Sequence, residues 1–251
     1  MFEFFRQWRK GRILANSPFS TSDWQQAAAR LPVLDRLSSR QRLSLYELAT
    51  LFLHAKRFSG AGGLVLSDSM RQSISLQACL PILNLGLDWY DGWSDIIVYP
   101  DAFTRESSIV DEFGVTHSGS RHLSGEAWLR GPVVLSWRDA EQAGHVDGHN
   151  VVIHEFVHKL DMMNGLANGF PPLQRDMSPG NWSQLMNEAF EDFQLHPKQG
   201  LDRYGATDPA EFFAVLSEVF FETPDNLIAA YPELYSLMTQ FYLQDTAGHR
   251  Q

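Results

Sequence analysis

Leu43, Leu45, Leu48, Leu51 and Phe52 recur at helical spacing between residues 39 and 58, which predicts a helix with one buried side. A shorter helix is expected over 23–30, set apart by Pro32, and another over 69–83, ending near Pro81. Gly60-Ala61-Gly62-Gly63 reads as a flexible joint, and 95–99 as an apolar strand. Glu126-Ala127-Trp128-Leu129 and Val133-Val134-Leu135-Ser136-Trp137 flank Arg130-Gly131-Pro132 and read as a hairpin. The polar run 114–125 and the stretch 138–150 are expected to be loops. Helical patterns then cover 150–160, 182–194, 209–221 and 231–242. Aromatic residues at helical spacing, such as Phe190, Phe193, Phe212, Phe213, Phe220 and Phe221, are most simply core. Helices gathered around a small sheet make an α+β chain dominated by helix.

Composition narrows the class. The chain has 251 residues, 44% of them hydrophobic, enough for one large domain or two small ones. The net charge of −10 argues against non-specific, direct nucleic-acid binding. Cys79 is the single cysteine, so no internal disulfide forms, and a cytoplasmic setting is expected. Charges interrupt every apolar run near the N-terminus, and no stretch approaches membrane-spanning length. The aromatic and basic N-terminal residues read as a frayed or packing arm, with no membrane role.

The chemistry is concentrated in His154-Glu155-Phe156-Val157-His158. On a helix, residues four apart point from one face, so two imidazoles can hold a Zn²⁺ ion and leave positions open. Glu155 adjoins His154 and can act on a water activated by the ion as general base. A third ligand is needed, and no His follows until His196. Glu211 is the best candidate, because a carboxylate in the first turn of a strongly apolar helix is costly unless it is paired or metal-bound. The alternative is an acid that compensates the helix dipole. Glu218, two turns later on nearly the same face, is either an outer partner of a ligand or a rival ligand. Asp161, three residues beyond His158, is a candidate to orient an imidazole or else faces water.

Together these residues resemble a known family. Tyr204 followed by Glu211 in Ala-Glu-Phe-Phe-Ala, downstream of the His-Glu-x-x-His motif, is similar to the metallopeptidase domain of anthrax lethal factor. More broadly the chain resembles the bacterial Mlc titration factor A family of zinc-dependent peptidases. Shared stretches include Lys56-Arg57-Phe58, Ile97-Val98-Tyr99-Pro100, Gly125-Glu126, Gly131-Pro132-Val133 and Phe221-Glu222-Thr223-Pro224, within roughly residues 50 to 245. The resemblance implies a zincin-like fold and one zinc per chain on His154, His158 and Glu211. It also implies Glu155 as general base and Tyr204 as hydrogen-bond donor to the developing oxyanion. It further implies an aminopeptidase-type action on a peptide substrate. A partner is implied too: the transcriptional repressor Mlc, and with it control of glucose phosphotransferase genes. The alternative is a non-catalytic, repressor-sequestering protein with a structural zinc site. The whole chain is expected to be one metallopeptidase domain, with a helical N-terminal lobe over 1–85 and a catalytic core over 86–251. The second hairpin strand is the expected wall for an extended substrate. His117, His122, His145 and His149 are read as loop histidines without a role.

Overall fold

Side-chain caps start most of the longer helices. Ser20, Ser38 and Ser67 each form a reciprocal capping box, and Asn150, Ser178 and Asp208 cap later helices through a side-chain oxygen. A computed structural model describes residues 2–110, 116–123, 125–127 and 131–248. Its elements are α1 (Phe2–Ala15), α2 (Thr21–Ala28), α3 (Ser39–Ala55), β1 (Arg57–Gly60), α4 (Asp68–Cys79), β2 (Asp95–Tyr99), β3 (Phe103–Val110) and β4 (Thr116–Leu123). There follow β5 (Gly125–Ala127), β6 (Val133–Ser136), α5 (Trp137–Gln142), α6 (Val151–Asp161), α7 (Pro179–Leu195), α8 (Pro209–Glu222), α9 (Pro224–Ala230) and α10 (Pro232–Tyr242). The helix-dominated α+β class is met, and the arrangement is that of a zincin-like metallopeptidase fold.

A four-stranded sheet runs in the order β1-β2-β6-β5, with β1, β2 and β6 parallel and β5 antiparallel. Register places Ile96 beside Val133 and Val98 beside Leu135, all four fully buried. β3 and β4 form a separate antiparallel hairpin, with Phe103 opposite Leu123 and Val110 opposite Thr116.

The core spans α2 to α10 and centres on α6 and α8. Phe156 of α6 packs against Phe52, Tyr90 and Trp93, with ring centroids 5.6, 5.4 and 5.7 Å away. Phe212, Phe213, Phe220 and Phe221 of α8 are fully buried, each contributing about 1.5–3 kcal/mol of hydrophobic stabilisation. Such packing holds both helices rigidly, which matters because each carries part of the site. Among the described residues no helix is long and apolar enough to cross a membrane.

Several expectations need correction. The hairpin forms, but β6 has β2 on one side and β5 on the other, so it offers no edge to a substrate. The sheet ends at β5 instead. Trp128 and Leu129 lie outside the described residues. The glycine-rich joint begins as strand β1, since Arg57 to Gly60 pair with Asp95 to Val98. Residues 116–123 form strand β4 rather than loop, and α5 occupies the first part of 138–150. The N-terminal arm is helix α1, tied down by Arg6 to Asp88 at 2.8 Å and Lys10 to Glu47 at 3.6 Å.

Candidate metal centre

Helix α6 begins where the Asn150 side chain accepts the Ile153 N–H at 2.9 Å. One turn on, His154 and His158 project together, with ring centroids 4.8 Å apart and planes at 83°. Their Nε2 atoms are 3.2 Å apart. Asp208 caps α8 through the Ala210 and Glu211 N–H groups, and Pro209 sits in its first turn. This start aims Glu211 at the histidines. Its Oε2 lies 2.9 Å from His154 Nε2 and 3.3 Å from His158 Nε2. The three donor atoms all lie within 4.8 Å of one another.

These residues fit a divalent ion. Metal–ligand bonds of about 2.0–2.1 Å at tetrahedral angles separate the ligand atoms by about 3.3 Å. The observed edges of 2.9, 3.2 and 3.3 Å are close to that triangle. The donors are also the right type, two imidazole nitrogens and one carboxylate oxygen. Among the described residues no fourth His, Cys, Asp or Glu joins the group.

Glu218 reaches the far side of His154, with Oε1 2.8 Å from Nδ1. A carboxylate there requires the proton on Nδ1, which turns the Nε2 lone pair toward the centre. Burial disfavours a charged His154, but the Glu218 charge and the bonds to Glu211 and Glu218 outweigh it and hold the imidazole pKa well above its usual value. Burial also raises the Glu211 carboxyl, yet hydrogen bonds with both histidines leave it well below the ordinary carboxylate range.

Glu155, the neighbour of His154, lies against β5 at the end of the sheet. A methyl group on Gly125 of β5 would come within 2.5 Å of the Glu155 Cγ and Oε1 atoms, so only glycine permits this approach. The carboxylate is buried, and among the described residues Oε2 has no hydrogen-bond partner. Burial raises its pKa to about 7, against the opposing pull of His154 and His158. Tyr204 lies in a 3₁₀ turn capped by Asp202, and its hydroxyl donates to Glu211 Oε1 at 3.2 Å. Its ring centroid is 6.0 Å from that of His154, and 45% of the residue is exposed. Burial and the adjacent Glu211 charge push the phenol pKa upward, which keeps its proton in place.

Asp161 does not orient either imidazole. Its Oδ2 accepts the main-chain N–H groups of Asn168 and Gly169 at 2.8 and 2.7 Å. Among the described residues its Oδ1 has no hydrogen-bond partner, nor does His158 Nδ1. The reason is local: after the turn over Met162–Asn164 the chain folds back and brings two loop N–H groups onto the carboxylate. Of the loop histidines, His149 lies 3.5 Å from Asp202 and is exposed. Asn150 is a site residue that the sequence reading does not single out, although a capping asparagine before the motif is an available signal, and Gly125 enters that reading only within a shared stretch, with no role attached.

Residues 5–243 match the family model described as glucose-regulated metallo-peptidase M90. The chain is 40% identical over 238 residues to Mlc titration factor A of Serratia proteamaculans, covering 92% of this chain and 90% of that protein. It is 37% identical over 247 residues to the protein of that name from Salmonella arizonae, covering 95% and 96%. The Klebsiella pneumoniae protein of that name is 36% identical over 234 residues, covering 91% and 88%. A family match across nearly the whole length, together with a clustered His, His, Glu set, makes this chain a member of the glucose-regulated metallo-peptidase family M90.

Proposed function

We propose that this chain is a zinc-dependent peptidase, of aminopeptidase type, in which His154, His158 and Glu211 hold one zinc ion and Glu155 is the general base. The observation that carries this reading is the convergence of three donor atoms within 4.8 Å, with Tyr204 bonded to Glu211 and the buried Glu155 adjoining His154. When bound, the ion supplies Lewis-acid polarisation of the scissile carbonyl and acidifies water. Glu155 takes the proton as water attacks and passes it to the departing amine. Tyr204 exchanges its bond to Glu211 for one to the oxyanion, where charge builds as water attacks. An extended peptide pairs with the outer edge of β5, the strand lying over Glu155.

The relatives' name supplies a second part. That name supports Mlc as a partner, and the family resemblance adds that Mlc is a transcriptional repressor, that binding takes place in the cytoplasm and that it affects glucose phosphotransferase genes. We extend the reading to the whole chain as one domain. A purely structural zinc site is the less favoured alternative, because it calls for a fourth protein ligand and none joins the three among the described residues.

Elemental analysis with a peptidase assay on wild type and Glu155→Gln tests this proposal. About one zinc per chain in both proteins is expected, with cleavage lost only in the variant. Absence of zinc from wild type after adding it back, or cleavage that survives the substitution, would overturn it.

A further inference from the structure

The hydrogen bonds behind His154 do not stop at Glu218. Both Glu218 oxygens are used: Oε1 meets His154 Nδ1 at 2.8 Å, and Oε2 accepts the main-chain N–H of Asn150 at 2.5 Å. Asn150 is fully buried, and its side chain is fully engaged. Its Oδ1 caps α6, while Nδ2 donates to Gln77 Oε1 of α4 at 2.9 Å and to Glu222 Oε1 of α8 at 2.8 Å. Glu222 also accepts the main-chain N–H of Val146, in the turn that leads into α6. One asparagine thus joins three helices at the point where the Glu218 carboxylate is set.

We propose that Asn150 is a positioning residue for the metal centre: its buried amide, held by Gln77 and Glu222, sets the Glu218 carboxylate and through it the plane of the His154 imidazole. The role exceeds that of a helix cap, because a cap needs only the side-chain oxygen. The two amide N–H bonds carry the positioning, since a ligand's outer partners govern its orientation and basicity. This inference rests on His154 being a metal ligand.

Asn150→Ser separates the two roles, keeping a capping oxygen and removing the amide. Zinc affinity of the full chain is measured by competition with a chromophoric chelator, and the visible spectrum is recorded with cobalt(II) in place of zinc. The expected result is zinc binding weakened about tenfold and a shifted cobalt spectrum. Ser67→Ala, which removes the cap of α4, supplies a stability control whose zinc affinity should stay at the wild-type value. If Asn150→Ser does not fold, Gln77→Met loosens the amide from one side and should weaken zinc binding about threefold. Affinity within twofold of wild type in the folded variant, or an equal loss in Ser67→Ala, overturns the inference alone. Absence of zinc binding by wild type overturns it together with the proposed function.

Discussion

His154 and His158 stand one turn apart on the same helix, yet their surroundings differ sharply. Behind His154 run Glu218, Asn150, Gln77 and Glu222, an almost fully paired and buried network tying α6 to α4 and α8. Among the described residues nothing comparable lies behind His158: its Nδ1 has no hydrogen-bond partner there, and Asp161 accepts instead from the loop at Asn168 and Gly169. The centre is therefore held rigidly on the α8 side and more loosely toward the end of α6. Buried polar networks tolerate little loss, because each broken bond strands its partner. Substitutions on the two sides should consequently behave differently.

The largest effect is expected from Glu211→Ala, which removes the donor facing both histidines. Zinc affinity should fall by more than the roughly 10–100-fold typical of losing an outer partner, as read by chelator competition. Next comes the pair that tests the asymmetry directly. Glu218→Gln leaves one oxygen where two now accept, so either the His154 or the Asn150 bond is lost, and zinc affinity should drop about 10–100-fold. In Asp161→Asn the oxygen that accepts both loop N–H groups is retained, and the new amide falls where Oδ1 has no partner. It should leave zinc affinity unchanged and cost about 0.5–1.5 kcal/mol of stability in a denaturant melt. Equal losses of affinity in these two variants would erase the distinction between the two sides.

Gly125→Ala probes the opposite wall. Its methyl would crowd Glu155, so β5 or the carboxylate must shift, and kcat should fall about tenfold with zinc content intact. The smallest effect concerns pH and the metal-free protein. Burial raises Glu155 from 4.5 to about 7, so the folded state keeps a proton that the unfolded chain releases across that window. The unfolded state then binds fewer protons, and this group makes stability fall as pH rises from about 4.5 to 7. Glu155→Gln lacks that slope, so its stability relative to wild type should increase over the same window in melts at several pH values.

How far the sequence reveals this arrangement depends on how local each feature is. The histidines and Glu155 lie within five residues of one helix, and helical geometry alone brings the imidazoles together. Glu211 stands out as an acid opening the apolar helix α8. Sheet order is different. β1 is four residues running into glycines and becomes a strand only by pairing with β2, more than thirty residues away. That β6 is internal and β5 terminal among the described residues is likewise a fact of long-range pairing, which the hairpin pattern alone does not reveal. Asp161 has suitable spacing and a helical backbone, but the main-chain N–H groups of Asn168 and Gly169, on the loop that folds back, engage its carboxylate. Asn150 is recognisable as a cap, whereas the partners of its amide lie more than seventy residues away on either side.

X-ray absorption at the zinc edge tests the open, three-ligand centre most directly, because the fine structure counts imidazoles and distinguishes sulfur from nitrogen and oxygen. The account predicts two imidazoles, one carboxylate oxygen and one exchangeable oxygen, with no sulfur. A shell closed by a fourth protein ligand, or one with a different number of imidazoles, would contradict it.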